Sequence, residues 1–122
     1  MISRTVAMDV TMTRLYVKVQ SPTSARFIKR VPKSTSYAMT TDNYLVGCDT
    51  SSNTITMTLP LALTATNQTF YVVDETENAS INNITIETSG SDTLNGALNK
   101  IISTDYTSIQ IYSDGVSGYH IM

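Results

Sequence analysis

Tyr44-Leu-Val-Gly-Cys-Asp-Thr-Ser-Ser-Asn-Thr-Ile-Thr-Met-Thr-Leu-Pro60 decides how the rest of this chain is read. Tyr44, Val46 and Cys48 alternate with Leu45 and Gly47. After the polar run Asp49-Thr50-Ser51-Ser52-Asn53, Ile55, Met57 and Leu59 alternate with Thr54, Thr56 and Thr58. A period of two puts one set of side chains on each face, the pattern of a half-buried strand. Two such runs joined by a polar turn predict a β-hairpin, which Pro60 ends.

The same period continues downstream. Phe70 to Val73 is nearly unbroken apolar sequence and predicts a strand buried on both faces. Asp74 to Asn83 is a polar turn region. Ile84 and Ile86 open another strand, closed by Ser89-Gly90-Ser91, and Leu94 and Leu98 flank Asn95-Gly96, a tight-turn signal. Ile109 and Ile111 alternate, Ser113-Asp114-Gly115 turns, and Tyr119 and Ile121 lie in a final strand. Leu61 to Thr66 fits one helical turn. No stretch holds a 3.6-residue period or a heptad repeat. Strands about ten residues apart with turns between them predict an all-β fold, a compact antiparallel β-sandwich or barrel-like domain. The expected core is Val46, Cys48, Ile55, Met57, Leu59, Phe70, Val72, Ile84, Ile86, Ile109 and Ile111.

Upstream, Val6, Met8, Val10 and Met12 alternate, and the phase flips at Leu15, Val17 and Val19, as at a bulge or a break between strands. Ser21-Pro22-Thr23-Ser24 is a turn. Ala25 to Val31 fits a short strand with Phe27 and Val31 on one face, and Pro32 with the Ser/Thr stretch 34–36 reads as a linker. The chain therefore divides near residue 36, into a basic, β-rich N-terminal segment (1–36), serving as attachment segment or as further strands, and a main β-domain (37–122).

Composition agrees with this reading. The 122 residues include 20 Thr and 14 Ser, no Trp and two Phe, so hydroxyls coat the strands while Val, Ile, Leu, Met and Tyr build the core. A chain of this size leaves much of its surface in water, and association with copies of itself adds burial. The net charge of −2 is unevenly spread: residues 1–33 carry +6 and residues 34–122 carry −8. Such asymmetry suits contact with an acidic protein surface or nucleic acid, and equally suits charges that solvate outer strand faces. Arg26, Lys29, Arg30 and Lys33 are close enough in sequence to form one docking patch. Val6, Met8, Val10 and Met12 offer a strand for insertion into a partner.

Little here suggests catalysis. His120 and Cys48 are the sole His and Cys, no disulfide can form within the chain, and Cys48 reads as a small buried hydrophobe. Ser and Asp are abundant enough to complete a triad with His120, but there is no nucleophile elbow and no Gly-rich loop entering a helix. Zinc lacks ligands. Asp74-Glu75-Thr76-Glu77-Asn78 supplies oxygens without EF-hand spacing, and a solvated acidic turn is expected. The sequons at Asn67, Asn78 and Asn83 carry no weight without a secretory signal, and Ile2 to Val19 is interrupted by charges. The seven tyrosines include candidates for a sugar-stacking platform, but filler between core and water is the favoured reading. No catalytic, metal or cofactor site is expected, and no nucleic-acid or membrane partner.

Three pieces in order carry a family resemblance. They are Tyr44 to Pro60, then Phe70-Tyr-Val-Val-Asp-Glu-Thr-Glu-Asn-Ala-Ser-Ile-Asn-Asn-Ile-Thr-Ile86, then Asp105-Tyr-Thr-Ser-Ile-Gln-Ile-Tyr-Ser-Asp-Gly115 with Tyr119 soon after. The set resembles a small β-domain of fibre, spike and capsid-decoration proteins in tailed phages and large DNA viruses, and it covers roughly two-thirds of the chain. The family usually has Gly where Glu77 stands and often Trp near Tyr119. The resemblance implies a homotrimeric virion component, assembled in the host cytoplasm and attached to other capsid or tail proteins through its N-terminal part. An alternative is the tip of a viral fibre, binding a host receptor or surface glycan.

Overall fold

The computed structural model describes residues 27–122. The alternating runs at 6–12 and 15–19, the turn at 21–24 and Arg26 lie outside them. Ten short strands follow in order: β1 (Arg30–Lys33), β2 (Tyr37–Ala38), β3 (Leu45–Cys48), β4 (Ile55–Thr58), β5 (Thr69–Asp74), β6 (Ile84–Glu87), β7 (Thr93–Leu94), β8 (Asn99–Ile102), β9 (Ser108–Ser113) and β10 (Gly118–Ile121). One 3-10 turn, Ala62–Thr64, follows Pro60 where a helical turn was expected. The described residues are all-β, as the sequence predicts.

Each strand up to β9 lies in the sheet opposite its predecessor. The larger sheet has the order β1-β3-β5-β9-β10-β7 and the smaller β2-β4-β6-β8. Neighbours β1, β3 and β5 run parallel, as do β2, β4 and β6, and β8, β9 and β10 add antiparallel ladders. The chain thus winds as a flattened coil, and both sheets are mixed rather than antiparallel.

The expected hairpin between 44–48 and 55–59 does not form. β3 pairs with β1 and β5, and β4 with β2 and β6, so each run belongs to a different sheet. The connecting residues arch across the core instead of folding back. Thr50 is buried there; its hydroxyl donates to Asp74 Oδ1 at 2.8 Å, and its N–H donates to the Thr76 hydroxyl at 2.8 Å. These bonds tie the first arch to the next one, leaving β3 free to pair sideways.

All eleven expected core residues are buried, in one cluster filled from both sheets. Tyr119, Leu94, Ile102 and Met39 join them unforeseen. The Tyr119 ring meets Phe70 edge-on, centroids 6.1 Å apart, and its hydroxyl donates to the Pro60 carbonyl at 2.6 Å. β5 corrects another expectation: Phe70, Val72 and Asp74 are buried while Thr69, Tyr71 and Val73 are half-buried, so the strand alternates. Cys48 is buried, and burial, with the nearby charges of Asp74 and Glu75, pushes its thiol up to about 12.

Pro32 was expected in a linker but sits inside β1. The Lys29 and Lys33 carbonyls accept from Leu45 and Asp49 N–H groups, so alternate residues face β3 and Pro32 faces away, where no N–H is needed. Phe27, expected beside Val31, is 87% exposed and precedes the strand. The other sheet edges are blunt as well. β2 and β7 have two residues each, and β8 carries Lys100 opposite the core residue Ile86. Short strands, prolines and inward-register lysines all discourage further pairing.

Asn95 and Gly96 have φ of 50° and 81°, as a tight turn of the expected kind requires. Glu77 has φ 61° at an exposed arch position, a conformation that costs a residue with a Cβ about 1–2 kcal/mol. Glu77→Gly is therefore expected to stabilise the fold by about 1 kcal/mol, a gain of several degrees in thermal melting. A lower melting temperature for the variant would show that the Glu77 side chain contributes more than its backbone loses.

Candidate functional site

The described members of the proposed basic patch lie on or beside the edge strand β1, but two of them already have partners within the domain. Arg30 Nε is 2.8 Å from Glu75 Oε2, and its terminal nitrogen is 2.5 Å from Glu75 Oε1, a two-pronged pair. The bond and charge of Arg30 hold the Glu75 carboxyl below its ordinary range, and Glu75 raises Arg30 in turn. The pair reaches across β3 because Gly47 leaves room. A Cβ at Gly47 would collide with the Glu75 carboxyl group, so any other residue there displaces the glutamate. Lys33 Nζ sits 4.1 Å from the centre of the Tyr37 ring. Lys29 is exposed. β1 itself is paired to β3, so residues 30–33 are part of the sheet.

The acidic turn after β5 is not the solvated loop the sequence suggests. Asp74 is 1% exposed and gathers three loops. Its Oδ1 accepts from the Thr50 hydroxyl and the Thr76 N–H, and its Oδ2 from the N–H groups of Ala79 and Tyr106 at 3.1 and 3.0 Å. Burial pushes this carboxyl up, and the four donors pull it further down, so the net shift is below the ordinary range. Glu75 turns outward to Arg30 and Glu77 is exposed, so the three carboxylates diverge. No group of three or more potential metal-binding His, Cys, Asp or Glu side chains occurs among the described residues.

His120 lies across from Tyr112 on the neighbouring strand, ring centroids 5.3 Å apart. Its Nε2 is 3.6 Å from Asp114 Oδ2. The other Asp114 oxygen accepts from the N–H groups of Val116, Ser117 and Gly118 and so fixes the β9–β10 turn. The Val116 and Gly118 bonds lead in holding this carboxyl low. No serine stands in hydrogen-bond contact with His120 among the described residues, so no triad is assembled there.

Two structural acids escaped the sequence reading. Asp74 was masked by its acidic neighbours, and buried Asp92 accepts from the Ala62 N–H at 2.8 Å, anchoring the 3-10 turn. The signal for Asp74 was its phase, since it continues the buried positions Phe70 and Val72. No family model matches the chain, and no curated protein matches it.

Proposed function

We propose that this chain is a non-catalytic structural component of a virus particle, a fibre or capsid-surface module that assembles as a homotrimer and is held to its particle through its N-terminal part. The observation that carries the reading is where the chain departs from the fibre-domain pattern. Glu77 stands where that pattern usually has Gly, and its φ is 61°, a conformation glycine adopts freely. Tyr119 stands near the pattern's frequent Trp, and it is fully buried against Phe70. At both positions the pattern's residue has a physical reason, which supports aligning all three pieces. The pieces also correspond to whole units of the coil: β3, arch and β4; β5, arch and β6; β9 and the turn into β10.

The blunted strand edges bear on how copies would meet. Contacts within a trimer would run through faces and loops rather than by extending a sheet. Attachment would rely mainly on residues ahead of β1, because Arg30 and Lys33 have partners inside the domain.

Light scattering on the purified protein should give three times the 13.4 kDa chain mass. Antibody-labelled gold should decorate intact particles from producing cells. Removing residues 1–26 leaves every described strand in place and should keep the mass while abolishing attachment. A monomer at micromolar concentration, or particles that bind no label, overturns the reading.

A further inference from the structure

Phe70, Val72, Ile109 and Ile111 point into the core, so Tyr71, Gln110 and Tyr112 stand on the outward face of the larger sheet. The ladders fix their neighbours. Leu45 and Gln110 flank Tyr71, and Thr69 and His120 flank Tyr112. The Tyr44 ring meets Tyr71 edge-on with centroids 5.2 Å apart, and the Tyr112 and His120 rings lie 5.3 Å apart, tilted by 32°. Tyr71 and Tyr112 are diagonal neighbours, a relation that puts backbone positions roughly 7–8 Å apart. Four rings therefore step across four adjacent strands, a run of about 14 Å at the usual strand spacing. Tyr44 is 38% exposed, Tyr112 41%, and the His120 side chain 45%.

The groups around the rings select the chemistry. Outward positions on β3, β5 and β9 carry Leu45, Gly47, Thr69, Tyr71, Val73, Ser108, Gln110 and Tyr112, without one formal charge. Arg30 and Glu75 pair over Gly47 at one side of the rings, and Asp114 lies 3.6 Å from His120 at the other. The aliphatic side chains in the band, Leu45 and Val73, are half-buried, and exposed Met122 lies beside Gln110. A row of rings with an amide and hydroxyls between them matches a pyranose. The sugar's C–H face lies on a ring while its hydroxyls bond Gln110, Thr69 and the imidazole. An anionic ligand finds no unpaired cation in the band.

We propose that this face binds a neutral oligosaccharide laid along the line Tyr44, Tyr71, Tyr112, His120. The site stands on the ring geometry and is independent of the particle reading. Because the chain has no Trp, its emission comes from seven tyrosines, three of them in the line. The full-length protein is titrated with linear oligomers of glucose, galactose and mannose, and with sialyllactose as the charged control, while tyrosine emission and the amide signals of residues 69–73 and 108–112 are followed by NMR. At least one neutral oligomer should perturb these signals at millimolar concentration. Tyr112→Ala, at an exposed ring, should weaken binding about tenfold with melting unchanged, and Tyr112→Phe should bind nearly as well as the parent. Silence from every neutral oligomer overturns the proposal, as does Tyr112→Ala binding at full strength. A Tyr112→Ala protein whose mass falls, in a chain that binds none of the sugars, makes the face an interface between copies instead.

Discussion

Replacing Asp74 with alanine is expected to destabilise the fold by about 3–5 kcal/mol, because it strips a buried acceptor from four donors at once. The donors come from the arch after β3, the arch after β5 and the loop between β8 and β9, so one carboxylate holds three connections at the same end of the coil. Denaturant unfolding followed by circular dichroism measures the loss, and a change under about 1 kcal/mol would show that the loops hold themselves. Asp74 also sets a pH dependence. Its carboxyl lies below the ordinary range when folded, so its contribution is complete above the unfolded value near 4 and fades as pH drops through the lower folded value. Glu75, Asp49 and Asp114 are shifted the same way. The parent should therefore lose stability below about pH 4, and Asp74→Asn should flatten that slope without abolishing it.

Phe70→Ala should have a comparable effect, about 3–5 kcal/mol, from a different cause. Phe70 is fully buried in the middle of the larger sheet, paired with Ile111 across the ladder and packed edge-on against Tyr119. Deleting the ring leaves a void bounded by β-sheet backbone that cannot close over it. At roughly 4–8 °C per kcal/mol for a domain of this size, melting should fall by tens of degrees, and Phe70→Leu should recover much of the loss. Unchanged melting in Phe70→Ala would mean that the inward face of β5 has been assigned wrongly.

The faces of the strands were legible in the sequence, and their partners were not. A period of two states which side chains go inside, so Val46, Ile55, Phe70 and Ile109 could be placed by inspection. It does not state whether the next run folds back as a hairpin or crosses to another sheet. Here the choice rests on Thr50, which bonds to Asp74 and Thr76 rather than across a hairpin. β8 was invisible for a related reason: three of its four residues are exposed and only Ile102 is buried. The partners of the basic residues were hidden by distance along the chain. Arg30 lies near Lys33 in sequence, yet its partner Glu75 is 45 residues away, and only the parallel coil brings the two together. The ring line was equally hidden, because Tyr44, Tyr71, Tyr112 and His120 come from four strands or strand ends that only the larger sheet sets side by side.

The coil tolerates unequal lengths. Arg30 aligns with Leu45 and Leu45 with Tyr71, so the first circuit takes 15 residues and the second 26, while the ladders stay in step. The surplus lengthens β4 and both of its flanking connections, and none of it alters the pairing of β3 with β5. Growth of a connection is thereby uncoupled from the scaffold. A segment grafted between Ser52 and Asn53, exposed residues of the connection after β3, would emerge at the end of the molecule without interrupting a strand ladder. That arrangement lets a connection change length while the paired frame stays the same, and it makes this loop the natural place to carry a foreign epitope.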